Sequence, residues 1–258
     1  MPMFIEDAHD QFRQDISYAQ YSIKSIDIEI EAIDLEKYIA MRSRHGANDI
    51  ILKNFNDALC YMNSSLDKLK ELCKAKYIDI TGRYFSDLGT DGSLGKLKNI
   101  HPDVFSLKEK IVNTKEYKYL KGYVNLSKHE KRISLNAKTR IAVPESIKGR
   151  NPIRILIGEN CYADIPGDGT TNEIVEIEGR FCLFVGSFKK DKNRYPEVEI
   201  SIAKNIYNVI VNAYNDFAEA PHYIELYSND RLYCHNNLFD HYDEEYYNRL
   251  KQQGVILI

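Results

Sequence analysis

The chain has 258 residues, a net charge of −3, 43% hydrophobic and 28% charged residues, which bounds it to one large or two small globular domains. No apolar run reaches the roughly 18 residues of a membrane span, and the opening "MPMFIEDAHDQFRQD" turns acidic at once, without the basic-then-apolar order of a signal peptide. Five cysteines (Cys60, Cys73, Cys161, Cys182, Cys234), odd in number, widely spaced and without a CxxC pair, predict free thiols in a reducing compartment, hence a cytoplasmic protein.

From the N-terminus, Phe4, Ala8, Phe12, Ile16, Ala19, Ile23, Ile26, Ile30 and Ile33 recur in steps of three and four, which predicts one long amphipathic helix over residues 4 to about 40. The run "SIKSIDIEIEAID" also alternates with period two and admits a strand at 26–33, but the unbroken helical period outweighs it. Gly46 reads as the stop. Ile51, Phe55, Ala58, Met62, Leu66, Leu69 and Cys73 form the stripe of a second helix from about Asp49 to Lys76, able to pair with the first as an antiparallel hairpin. "DLGTDGSLGKLKN" (87–99) reads as a loop. It lacks the spacing of a phosphate-binding loop. Pro102 then marks a helix start, and Thr114 is placed to cap the helix after it.

That helix carries "YKYLKGYVNLSKHEKRIS", residues 117–134, within a stretch, Lys96 to Arg150, that holds fourteen Lys and Arg against five Asp and Glu. Its local charge of +9 leaves −12 for the rest of the chain. On a helical wheel of about 100° per residue, Lys118, Lys121, Asn125, Lys128, His129 and Arg132 share one face. Leu120, Tyr123, Val124 and Leu126 share the other. The bland reading is a solvated face. The functional reading is a basic ridge in which Lys118, Lys121, Lys128 and Arg132 bind an anionic partner. His129, its pKa depressed by neighbouring cations, would serve as a base, with Asn125 one turn earlier orienting a substrate. The same positive middle also suits an acidic partner protein, the chain's own acidic remainder, or a second copy in a homo-oligomer.

After Arg132 the texture changes. "RISLN", "TRIAVP", "IRILIG", "NEIVEIEG" and "RFCLFVGSF" are short β-rich runs between turn residues, predicting a small antiparallel sheet between about residues 132 and 190. "YPEVEISIAKNIYNVIVNAYNDFAEA" turns helical, with Ile202, Ile206, Val209, Ile210, Ala213 and Phe217 on one side. "YIELYS" suggests a strand, and "DHYDEEYYNRLKQQ" a last helix. The expected class is α+β: a helical part over 1–131, then a β-rich segment with C-terminal helices over 132–258.

"RLYCHNNLFDHYDEEYY" gathers Cys234, His235, Asp240, His241, Asp243 and Glu244, but not at zinc-site spacing, and "GENCYADIPGDGTTNE" lacks the calcium-loop pattern. No metal and no cofactor is expected, and no GxSxG, HExxH or GxGxxG occurs.

The pattern Asn125-x-x-Lys128-His129 at a helix end, followed by a β-rich half, resembles bacterial helical proteins carrying an Asn-x-x-Lys-His pattern, and is loosely similar to the HEPN helical domains of bacterial toxins and defence systems. That resemblance implies a prophage or defence setting and, in its ribonuclease members, an Arg separated from the His by four to six intervening residues. Here Gly122, Tyr123 and Val124 stand at those positions. The expectation is therefore a binding protein that uses the basic face at residues 118–132, with weak, salt-dependent contact to nucleic acid or an acidic protein. The alternative is a metal-independent ribonuclease or phosphodiesterase with His129 at its site, completed by an Arg from elsewhere, such as Arg42, Arg44 or Arg83.

Overall fold

The computed structural model describes residues 5–33, 45–89, 94–127, 133–143, 153–158, 161–165, 175–190, 193–218, 222–227 and 256–257. Its class is α+β: an N-terminal helical hairpin, three further helices, a small sheet, then a helix that returns to the bundle.

Helix α1 (Ile5–Glu31) begins with Glu6 and Asp7, acids that suit the positive end of the helix dipole. Every apolar position of the predicted stripe from Ala8 to Ile33 is buried. The alternating run at 26–33 is helical as far as Glu31, because burying Ile26 and Ile30 with Ile23 needs the 3.6-residue period. Helix α2 (His45–Lys76) starts earlier than its stripe and takes Gly46 into its first turn. A glycine costs little there, since the first N–H groups of a helix lack intrahelical acceptors in any case. Ile51, Phe55, Ala58, Met62, Leu66, Leu69 and Cys73 are all buried, and α1 and α2 pack along their lengths.

Residues 81–89 form a closed loop around a short 3-10 turn at Phe85–Asp87, and the Gly89 N–H donates to Thr81 O at 3.0 Å. Gly89 has φ 67°, and a Cβ there would collide with Leu97. Leu97 belongs to α3 (Leu94–Ile100), which corrects the expectation of a loop through residue 99. Burial of Leu97 against Gly89 gives that polar stretch a reason to coil. Helix α4 (Pro102–Val112) opens with Pro102 in its first turn, as expected.

Helix α5 (Lys115–Ser127) is capped as predicted. Thr114 Oγ1 accepts from the Tyr117 N–H at 3.1 Å and donates to Ile111 O at 2.7 Å.

The strands are β1 (Leu135–Val143), β2 (Ile153–Gly158), β3 (Cys161–Ile165), β4 (Val175–Val185), β5 (Phe188–Lys190), β6 (Asn193–Tyr195), β7 (Val198–Glu199) and β8 (Ile256–Leu257). The main sheet runs β3-β2-β4-β1-β8, with β7 also on β4, while β5 and β6 form a separate hairpin. The β1–β4 ladder is antiparallel, from Leu135 opposite Val185 to Ile141 opposite Gly179. One pair departs from the antiparallel expectation: β2 and β4 run parallel, with Ile153 opposite Val175. A parallel neighbour needs a connection that crosses over, and β3 occupies part of that connection.

Helix α6 (Ile202–Phe217) packs against α4, α2, α5 and α1, so the helical core takes its last wall from beyond the strands. Its buried face is Ala203, Ile206, Tyr207, Ile210, Val211, Ala213 and Tyr214. Ile202, Val209 and Phe217 are only half-buried, at the margin of that face. Among the described residues no helix is long and apolar enough to cross a membrane.

Candidate functional site

The basic face on α5 is only partly free. Tyr117, Tyr119, Leu120, Gly122, Tyr123, Val124 and Leu126 are buried, while Lys118 and Asn125 are exposed, so the wheel is realised along the described helix. Lys121 departs from the ridge: its Nζ donates to Asn63 Oδ1 on α2 at 2.9 Å and lies 6.0 Å from the Tyr117 ring. Lys128, His129 and Arg132 lie outside the described residues, as does the 234–244 segment. Of the arginines considered as completing a site, Arg83 lies over the Tyr84 ring at 5.3 Å, and Arg42 and Arg44 are outside the described residues.

Other cations of the positive stretch are engaged internally. Lys108 is buried, donates to Leu88 O at 2.9 Å, and burial lowers its pKa. Lys110 pairs with Asp216 of α6 at 2.8 Å. The buried side of α5 meets an aromatic cluster from the β5–β6 hairpin, in which Phe188 stacks on Tyr195 (4.5 Å) and sits edge-on to Tyr119 and Tyr123. Burial drives the Tyr119 and Tyr123 phenols well above their ordinary value. The Tyr119 hydroxyl has no hydrogen-bond partner among the described residues.

Three polar groupings were not legible as sites in the sequence. At the turn after α2, His101 Nε2 contacts both Asp79 carboxylate oxygens at 2.9 and 3.0 Å, and its ring lies against Tyr77. Tyr77 Oη and Lys76 Nζ both donate to Asp103 Oδ2, at 2.9 and 3.0 Å. Burial alone would raise the Asp103 pKa, but these two donors outweigh it and hold the carboxylate below its usual value.

Between α1 and α6, Lys204 Nζ faces Asp27 Oδ2 at 3.1 Å, with side chains only 7% and 12% exposed. Burial lifts Asp27 to a pKa of about 6 against the pull of Lys204, and burial lowers Lys204. At the other end of the same helix pair, His9 shares a 2.8 Å hydrogen bond with Tyr214 Oη and stacks face to face with His222 at 4.0 Å. Burial, then the His222 charge, lowers the His9 pKa.

The third grouping joins those two ends. Residues 223–227 run extended along α6 without strand pairing. Asn215 Nδ2 donates to Ile224 O (2.7 Å) while its Oδ1 accepts from the Ile224 N–H (2.9 Å). Asn208 repeats both bonds with Tyr227, at 2.9 and 2.8 Å. The expected strand "YIELYS" is thus extended but bound to side-chain amides. The signal available in the sequence was the heptad spacing of Asn208 and Asn215 along α6.

Among the described residues no group of three His, Cys, Asp or Glu side chains is placed to hold a metal ion. No family model matches the chain, and no curated protein or solved structure is similar to it.

Proposed function

We propose that the chain is a non-catalytic cytoplasmic interaction protein that meets an anionic partner, nucleic acid or an acidic protein, along the outer edge of α5. Lys118 and Asn125 form the described part of that edge, and Lys128 and Arg132 continue it in sequence. The observation that carries this reading is the division of α5: its other side is committed to the core, while Lys118 stands exposed with no ion pair among the described residues. Lys121 supports the edge from within, through Asn63, and is assigned a structural part. The five cysteines, odd in number, widely spaced and without a CxxC pair, support the cytoplasmic reading.

Few exposed cations on one edge make contact weak and strongly salt-dependent. Titration of labelled single-stranded RNA and of an acidic peptide at low and moderate salt tests this, comparing the natural chain with Lys118→Glu plus Lys128→Glu. Binding that weakens with salt and with charge reversal supports the proposal. Binding indifferent to both overturns it. RNA cleavage abolished by His129→Ala would replace it with the ribonuclease reading.

A further inference from the structure

We propose that the groove between α1 and α6 is a binding site for an extended peptide, and that residues 222–227 of the chain itself are its resident, exchangeable occupant. This site is independent of the α5 edge. An extended segment outside a sheet must find partners for its backbone groups elsewhere. Here they come from two side-chain amides, each offering one acceptor and one donor, as a neighbouring strand would. Their spacing fits: seven helical residues rise about 10.5 Å, and three extended residues span about 10 Å. The ladder therefore reads the direction and register of a backbone, whatever its side chains.

Side-chain selectivity lies at three positions. His222 stacks on His9. Ile224 packs at the margin of the core. Tyr227 lies edge-on to Tyr207 at 5.0 Å and beneath Lys204 at 5.3 Å, and its hydroxyl donates to Gln20 O at 2.8 Å. Tyr223, Glu225 and Leu226 are exposed. The partner chemistry that follows is an extended peptide with an aliphatic residue and, three positions later, a tyrosine. Packing alone would be served by apolar residues at 208 and 215. Half-buried amides there are costly unless an extended backbone fills them. A segment held by side chains alone opens locally well below the cost of global unfolding, and a tethered occupant competes with a free one at an effective concentration of about millimolar.

Two measurements decide it. In the natural chain, the Ile224 and Tyr227 amides should exchange with solvent deuterium at least about 100-fold faster than the Ile210 amide of α6, by local opening. Equal protection would overturn the proposal. In the variant Ile224→Ala plus Tyr227→Ala, the labelled peptide HYIELY should bind at least about tenfold tighter than to the natural chain, and adding Asn208→Leu and Asn215→Leu should abolish that binding. A folded variant that ignores the peptide overturns the proposal; if the variant does not fold, the exchange comparison in the natural chain decides between the two outcomes.

Discussion

The Tyr195 ring occupies the space in which a side chain at position 122 would stand, so the β5–β6 hairpin docks on α5 through the bare backbone of Gly122. Glycine costs a helix interior about 0.5–1 kcal/mol relative to alanine, and here that cost is offset by the stacked Tyr195–Phe188 pair. Gly122→Ala should therefore destabilise the chain by on the order of 1 kcal/mol, because the ring must move and its stacking, worth about 0.5–1.5 kcal/mol, is lost. In a Tyr195→Ala background the same substitution should become stabilising by about 0.5–1 kcal/mol. Denaturant titration of the four chains of this cycle checks the change of sign.

Val124 and its neighbour Asn125 face opposite ways on α5, one buried and one exposed. Val124→Ala should cost about 1–3 kcal/mol by emptying packed space. Asn125→Ala should stay within about 0.5 kcal/mol. Thermal melts of the two variants test the orientation of the helix in solution, and an inverted order would refute it.

Lys204 and Asp27 form a buried pair whose worth depends on pH. A carboxyl whose folded pKa is raised, here to about 6 against an ordinary 3.8, binds its proton more readily folded than unfolded. Its contribution is therefore fully present below about pH 4 and is lost as pH rises through about 6. Lys204→Met removes the compensating cation. It should cost on the order of 3–5 kcal/mol at pH 8, where a buried carboxylate stands unpaired, and distinctly less at pH 5, where Asp27 is protonated. Urea midpoints of the variant and the natural chain at the two pH values give the comparison, and an equal loss at both would contradict the assignment.

A chain ending at residue 196 should lack cooperative unfolding. It would leave α1, α2, α4 and α5 without the α6 surface that buries Ile206, Tyr207, Ile210, Val211 and Tyr214. Heat capacity scans of the truncated and full chains check this, and a sharp transition in the truncated chain would show that the first five helices suffice.

The long helices were legible in the sequence because the period of apolar residues is a local property. The stripe from Ala8 to Ile33 and the stripe from Ile51 to Cys73 are buried position for position. The Thr114 cap was equally readable, since its partners lie three residues away on either side. The change to short strands after Arg132 was visible for the same reason. Lys121 looked identical to Lys118 on a wheel, and only the approach of Asn63 from α2, 58 positions earlier, takes it out of the exposed ridge. The parallel β2–β4 pairing, the packing of α6 against α4, α2, α5 and α1, and the meeting of Asn208 and Asn215 with Tyr227 and Ile224 were likewise tertiary decisions. Periodicity states which side of an element seeks cover. It does not state which distant element supplies that cover, because that choice depends on packing volume and on pairing every buried polar group at once.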